Sequence, residues 1–224
     1  MTRTDISPGQ SSRQRADWVG FAFFLALAGA YMGLAGTILR QSPAVGVLML
    51  PTFLHELMTA IAFLIRRPLR QELSGWAPRL AAYAGTFVLP LFLQTAGRWR
   101  TAWIAPSSGP AMQVGLVLWL FGAVVGLWTL WHLRRSFSLV PQARALVTSG
   151  PYRLARHPIY AAYILQYIGV WLAHTTVPLG VVVLAWLAIT VVRIHFEEKV
   201  MEAAFPGYTQ YRSSVGAFGP RIWQ

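Results

Sequence analysis

The chain has 224 residues, of which 55% are hydrophobic and 12% are charged, and its formal net charge is +12. Soluble domains usually contain about 25% charged residues, so this composition is typical of a protein embedded in a lipid bilayer. The sequence contains no cysteine, which excludes disulfide bonds, thiolate catalysis and metal sites with cysteine ligands.

Apolar runs, taken in chain order, predict the membrane spans. Five such runs occur, over residues 18–39, 41–65, 80–97, 111–133 and 157–192. One crossing takes about 20 helical residues, so each of the first four runs is long enough for one span. The fifth run is too long for one crossing, and polar residues and a proline lie near its middle: His174, Thr175, Thr176 and Pro178.

We therefore expect the fifth run to form an antiparallel helical hairpin, with helices over about 158–173 and 176–194. The predicted fold is all-α, a polytopic integral membrane bundle of about six transmembrane helices. The first run could instead be a cleaved signal peptide. Its 22 residues and the absence of a clear small-x-small cleavage site favour a retained span.

The positions of the cations predict the orientation in the membrane. With the N-terminus inside, 16 of the 19 Lys and Arg residues fall on the cytoplasmic side of the six spans. The positive-inside rule therefore predicts a multi-pass protein whose two termini are both cytoplasmic. Because the cations are spread over separate loops and do not share one face, we expect membrane lipids and no nucleic acid as partners.

The segment from Ser149 to Tyr160 concentrates polar chemistry beside the fifth run. Gly150-Pro151 breaks regular structure, and Pro158 is suited to the first turn of a helix. Tyr163 and Tyr167 share a helix face with Tyr160, which predicts either a pocket wall or an interfacial aromatic belt.

Arg193 and Glu197 lie four residues apart, on one face of the second helix of the hairpin. They predict an ion pair where that helix leaves the hydrocarbon. The hairpin returns this turn to the side of Arg156, His157 and Tyr160. A cluster of Arg, His, Tyr and Glu over an apolar pocket is a candidate binding site.

These motifs carry a resemblance to a known family. In order and spacing, the chain resembles the isoprenylcysteine carboxyl methyltransferases, which are related to the phospholipid methyltransferases. The motifs are Gly150-Pro151-Tyr152, Arg156-His157-Pro158-x-Tyr160, Arg193-x-x-x-Glu197-Glu198 and the tail from Phe205 to Arg212. The resemblance covers about residues 134–221, so we expect N-terminal transmembrane helices over 1–133 and a methyltransferase region over 134–224.

The resemblance implies a membrane-embedded enzyme that uses S-adenosylmethionine without a Rossmann fold. It assigns ten residues to the cofactor: Arg144, Ala145, Leu146, Val147, Tyr152, His157, Pro158, Ile159, Tyr160 and Glu197. It assigns Arg193 and Glu198 to the substrate, with Arg193 and His157 as catalytic residues. The sequence departs from the family at Ala162, where glycine is frequent, and the additional methyl group is expected to narrow the helix packing or the opening towards lipid.

The identity of the methyl acceptor stays open at this stage. A lipophilic or prenylated acceptor with a carboxylate would need no general base, and Arg193 would hold it bidentately. A small thiol or a phospholipid amine would need deprotonation, for which His157, His195 and Glu198 are candidates. A non-catalytic membrane protein of the same fold is the alternative from another functional class, and the oligomeric state is not predicted.

Other polar residues are expected to be structural. His55 and Glu56 lie near the middle of the second apolar run, where they serve either the acceptor pocket or a helix pairing. His132 and His174 lie at span ends and are expected at the membrane interface. No set of His, Asp and Glu has the spacing of metal ligands, so we expect no metal.

Overall fold

The protein is described here by a computed structural model, which covers residues 8–41, 50–98 and 109–221. The fold is mostly helical, as predicted. The described residues form seven α-helices: α1 (Pro8–Gln41), α2 (Leu50–Ile65), α3 (Trp76–Arg98), α4 (Pro110–Leu133), α5 (Pro158–His174), α6 (Val177–Ala204) and α7 (Tyr208–Ser214). The predicted cytoplasmic N-terminus falls on residues 1–7, which lie outside the described residues.

Two of these helices, α4 and α6, are long and apolar enough to cross a membrane, judged by length and composition. Residues Trp18–Gly33 of α1 and the whole of α2 are shorter apolar helices. Each of the six predicted spans overlaps one of the helices α1 to α6. The count of six transmembrane helices stays a prediction, because α4 and α6 alone meet the length and hydropathy of a span in the described part of the chain.

The chain divides into two compact units, Met1–Arg66 and Arg67–Gln224. In the first unit, α1 packs against α2, with the rings of Phe24 and Phe63 stacked at 5.6 Å between centroids. The predicted boundary between residues 133 and 134 concerns the extent of the methyltransferase region, and it stays a prediction.

In the second unit, α4 and α5 pack at close range because small residues line their contact. A Cβ atom on Gly115 would lie 2.5 Å from the carbonyl oxygen of Gly169, and one on Gly122 would lie 2.6 Å from that of Ala162. Ala162 itself is fully buried. The methyl group of Ala162 is therefore accommodated where the facing helix provides a glycine.

Helices α5 and α6 follow one another with Thr175 and Thr176 between them, and Thr175 adopts the left-handed conformation at φ 51°. Trp186 of α6 is 1% exposed, and its ring meets that of Tyr167 at 4.5 Å. Its Nε1 donates to the carbonyl oxygen of Gly85 in α3 at 2.7 Å. Tyr163 and Tyr167 both pack against the buried cluster of Leu179, Val183 and Trp186.

A short antiparallel sheet, absent from the predicted all-α fold, joins the segments before α3 and after α4. Strand β1 (Gln71–Glu72) pairs with β2 (Gln142–Ala143), with Gln71 opposite Ala143. The strands have two residues each, too few for an alternating pattern to be recognised in the sequence. The sheet fixes the start of the segment 142–157, which leads into α5.

Candidate active site

The loop before α5 begins with a glycine that no other residue could replace without strain. Gly150 has φ +59°, and a Cβ atom on it would lie 2.4 Å from Nε2 of His132. Gly150 is the first residue of a 3₁₀ helix over Gly150–Arg153. Helix α5 begins at Pro158, as the sequence predicts. His132 therefore lies against the loop that begins at Gly150, and its expected position at the membrane interface stays a prediction.

Glu197 of α6 lies at the centre of a hydrogen-bonded cluster. Its Oε1 accepts from the hydroxyl of Tyr160 at 2.5 Å and from Nε of Arg193 at 3.0 Å. Its Oε2 lies 4.0 Å from Nδ1 of His157, and 23% of the Glu197 side chain is exposed. The carboxylate is thus held in place by two donors and remains accessible to a ligand.

Tyr152 adds an aromatic side chain beside this cluster. Its residue exposure is 7%. Burial, and secondly the negative charge of Glu197, raise the pKa of Tyr152 well above its ordinary value. Tyr152 is therefore a neutral phenol at physiological pH, able to bound a ligand without adding charge.

Arg193 is buried, and protein groups occupy most of its donors. Besides Glu197, it donates through Nη1 to the carbonyl oxygen of Ala82 at 3.2 Å and to Oγ1 of Thr86 at 2.8 Å. Nη2 donates to the carbonyl oxygen of Leu139 at 2.8 Å. A guanidinium has five N–H groups, so these four hydrogen bonds leave little capacity for bidentate contact with a ligand.

Glu198 faces a different set of basic side chains and shares His157 with Glu197. Its Oε1 accepts from Nε of Arg156 at 2.9 Å and is 3.0 Å from Nε2 of His157. Its Oε2 lies 3.4 Å from Nε of Arg212. Glu198 is 9% exposed. The two adjacent glutamates thus have different surroundings: protein cations surround Glu198, while Glu197 keeps an accessible edge.

A cleft of about 540 Å³ lies beside the segment that the sequence assigns to the cofactor. Its lining includes Arg144, Ala145 and Leu146, together with Phe205 and four residues of the segment before α3: Arg67, Pro68, Leu69 and Arg70. The guanidinium of Arg144 donates to Oγ of Ser138 at 2.9 Å and to Oε1 of Gln142 at 3.0 Å. Arg144 therefore fixes the shape of this wall.

The structure brings together five of the predicted site residues through side-chain contacts, namely His157, Tyr160, Arg193, Glu197 and Glu198. Pro158 and Ile159 are buried in the first turn of α5, and Val147 is half-buried between the cleft wall and the loop. His195 is exposed, and its ring lies 5.9 Å from that of Phe196 in a tilted arrangement. In the first unit, Nδ1 of His55 lies 3.6 Å from Oε1 of Glu56.

Three groups of contacts are absent from the prediction. These are the tethers of Arg193 to α3, the pairing of Arg156 with Glu198, and the contacts of the C-terminal tail with the site loop. The sequence did carry one signal, because the tail from Phe205 to Arg212 is part of the motif set, although no role was assigned to it. Among the residues that the structure describes, no three His, Asp or Glu side chains group as metal ligands would.

Comparison with known proteins identifies the region that contains this cluster. Residues 110–207 match the family model of the phospholipid methyltransferases. This is the broader family of membrane methyltransferases to which the sequence motifs point, and the match does not single out the isoprenylcysteine carboxyl methyltransferases within it.

Two curated relatives are similar to the chain. A cobalt-zinc-cadmium resistance protein of Cupriavidus metallidurans is 31% identical over 139 residues, which are 61% of this chain and 60% of the relative. A nickel-cobalt-cadmium resistance protein of Alcaligenes xylosoxydans is 25% identical over 136 residues, which are 60% of each. The chain thus matches 60% of the length of each of these relatives.

Proposed function

We propose that this chain is an integral membrane methyltransferase that uses S-adenosylmethionine to methylate a lipophilic acceptor. The match of residues 110–207 to the phospholipid methyltransferases supports a membrane methyltransferase. The observation that carries the finer proposal is the accessible carboxylate of Glu197, held by Tyr160 and Arg193 inside that matched region.

The residues of the cluster fit the chemistry of S-adenosylmethionine. This cofactor carries an ammonium, a carboxylate, an adenine ring and a sulfonium, and its net charge is positive. The Glu197 carboxylate suits the ammonium or the ribose hydroxyls. The backbone N–H of Ile159, in the first turn of α5, suits the carboxylate, whereas those of Tyr160 and Ala161 donate to the carbonyl oxygen of His157. The rings of Tyr152 and Tyr160 suit the adenine or the sulfonium, where cation–π attraction contributes about 0.5 to 2 kcal/mol.

We assign the segment 144–147 to the outer wall of the cofactor site. Residues 144–146 line a cleft of about 540 Å³, within the range of roughly 300 to 1,000 Å³ that is usual for small-molecule sites. Arg144 contributes through the loop that it holds, because its guanidinium is hydrogen-bonded to Ser138 and Gln142.

When bound, the cofactor supplies an activated methyl group that is transferred in line to the acceptor as the sulfonium loses its charge. The contribution of the chain is mainly positioning and exclusion of water, since the positive charge of the sulfonium is dispersed in the transition state. Glu197 holds the donor, Tyr160 and Arg193 hold Glu197, and the buried Tyr152 keeps the site uncharged at that wall.

Two classes of methyl acceptor fit this chemistry. The first is the carboxylate of an isoprenylcysteine-like or other lipophilic molecule, oriented by Arg193. The second is a phospholipid amine or a small thiol, which must lose a proton before or during transfer. The engagement of Arg193 by Glu197, Thr86 and two carbonyl oxygens favours the second class. His157 is then the candidate base, since its Nε2 is fixed by Glu198 and its Nδ1 faces Glu197.

Calorimetric titration of the purified chain in detergent with S-adenosylmethionine tests the proposed function. We expect saturable binding at one site per chain. Transfer of a radiolabelled methyl group is then measured with three acceptors: an isoprenylcysteine analogue, phosphatidylethanolamine and a small thiol. A base-labile methyl ester identifies the first acceptor class, and a stable methyl amine or thioether identifies the second. Absence of cofactor binding would contradict the proposal.

The proposed orientation places the site loop and the C-terminal tail in the cytoplasm, where S-adenosylmethionine is available. Ser149 and Ser213 are exposed in the structure, and the sequence contains no cysteine. We expect cysteine at either position to resist a membrane-impermeant maleimide in sealed cells and to react after permeabilisation. Labelling of intact cells at either position would reverse the orientation.

A further inference from the structure

The C-terminal segment 208–217 lies against the loop that carries Tyr152 and His157. Tyr211, on α7, donates from its hydroxyl to the carbonyl oxygen of Tyr152 at 2.6 Å. Burial raises the pKa of Tyr211 to about 12, against the lowering effect of the Arg156 charge. The phenol therefore stays protonated and able to donate throughout the physiological pH range.

The backbone after α7 also pairs with the residues immediately before α5. The N–H of Arg156 donates to the carbonyl oxygen of Gly216, and that of His157 donates to Ala217, both at 2.9 Å. Helix α5 begins only at Pro158, so these two N–H groups have no partner within the helix. The tail supplies the acceptors that buried backbone donors require.

Charged side chains connect the same tail to α6. The guanidinium of Arg156 donates to Glu198 at 2.9 Å, to the carbonyl oxygen of Arg212 at 3.2 Å and to that of Val215. Arg212 in turn contacts Glu198 and Glu202. Arg156 is thus a common anchor for the loop, the tail and α6.

We propose that residues 208–217 form a clamp that positions Tyr152 and His157 to hold the cofactor, with Tyr211 as the main positioning residue. This inference rests on the proposed function. The clamp grips the backbone of the loop at Tyr152 and at Arg156–His157, on either side of the turn that brings the two side chains towards Glu197.

The test uses the full-length chain in lipid nanodiscs and the variant Tyr211→Phe, which keeps the ring and removes only the donor. We expect the dissociation constant for S-adenosylmethionine to rise about tenfold, the typical effect of one lost hydrogen bond. The midpoint of thermal unfolding without cofactor should fall by only about 2 to 4 °C, the shift expected for the loss of one hydrogen bond. Ser213→Ala is the matched control, because it removes an exposed hydroxyl from the same helix, and its affinity should equal that of the unmodified chain.

Hydrogen exchange of the Arg156 and His157 amides provides the readout that a purely structural role would not change. We expect S-adenosylmethionine to slow exchange at both amides in the unmodified chain and to slow it less in Tyr211→Phe. Two results would overturn the clamp while leaving the proposed function intact. One is equal affinity of the unmodified chain and Tyr211→Phe, and the other is amide exchange at Arg156 and His157 that does not change when the cofactor binds. Failure of the unmodified chain to bind S-adenosylmethionine would instead overturn the proposed function.

Discussion

Replacing Glu197 with glutamine should lower the affinity for S-adenosylmethionine by roughly 10- to 100-fold, since hydrogen bonds to a charged group contribute about 1.5 to 3 kcal/mol. The amide retains an oxygen that can accept from Tyr160 and Arg193, so the cluster keeps its shape. What is lost is the negative charge that faces the cationic cofactor. Calorimetric titration of the variant measures this effect directly, and methyl transfer at saturating acceptor should fall with it.

Glu72→Gln is the matched control for this experiment. Glu72 also pairs with an arginine, Arg79, at 3.1 Å, but it lies on β1 near the surface. Its substitution removes the same charge from the same compact unit and should leave cofactor affinity unchanged. Equal affinity of Glu197→Gln and the unmodified chain would remove Glu197 from the cofactor site. His157→Ala should also lower cofactor affinity, because Nδ1 of His157 faces the same carboxylate.

The helices were largely predictable because long apolar runs leave few alternatives. The predicted pair over 158–173 and 176–194 corresponds to Pro158–His174 and Val177–Ala204. The predicted start at residue 158 matches the structure, because proline favours the first turn of a helix. The predicted end of the second helix, at residue 194, was ten residues too early, because the helix ends at Ala204. The apolar run stops at Arg193, but the helix continues beyond it as a charged segment.

The residues that form the site were easier to predict than the long-range hydrogen bonds between them. The four-residue spacing of Arg193 and Glu197 defines a helix face, and the structure has that ion pair at 3.0 Å. Nothing local in the sequence identifies Thr86 or the carbonyl oxygen of Leu139 as partners of Arg193, because they lie 107 and 54 residues away. Likewise, the two-residue strands and the tail contacts depend on long-range backbone pairing, which has no periodic signal.

These long-range partners change what is expected of Arg193. The sequence suggested a residue that holds an anionic acceptor, whereas its hydrogen bonds join α3, the segment before β2 and α6. Its guanidinium carbon also lies 5.4 Å from the centre of the Tyr160 ring. A planar group with donors pointing in several directions can make all these contacts, whereas a lysine ammonium is a single point donor.

Arg193→Lys should therefore lower stability, cofactor affinity and turnover together. Breaking a buried ion pair typically costs about 3 to 5 kcal/mol, and for a chain of this size roughly 1 kcal/mol shifts the unfolding midpoint by 2 to 4 °C. We expect a fall of about 10 °C in thermal unfolding measured in detergent. Arg79→Lys, at an exposed pair with Glu72, is the control and should shift the midpoint little.

The pattern of losses separates the two roles of Arg193. As a tether, it orients Glu197, so in Arg193→Lys the dissociation constant for S-adenosylmethionine should rise along with the loss of stability. As an acceptor contact, it would leave both quantities unchanged and raise only the KM for the acceptor. Thr86→Val provides an independent check, because it removes one hydrogen bond of Arg193 without changing any charge. A stable Thr86→Val variant with normal cofactor affinity, together with an Arg193→Lys variant impaired only in acceptor KM, would show that the carboxylate acceptor is the correct class.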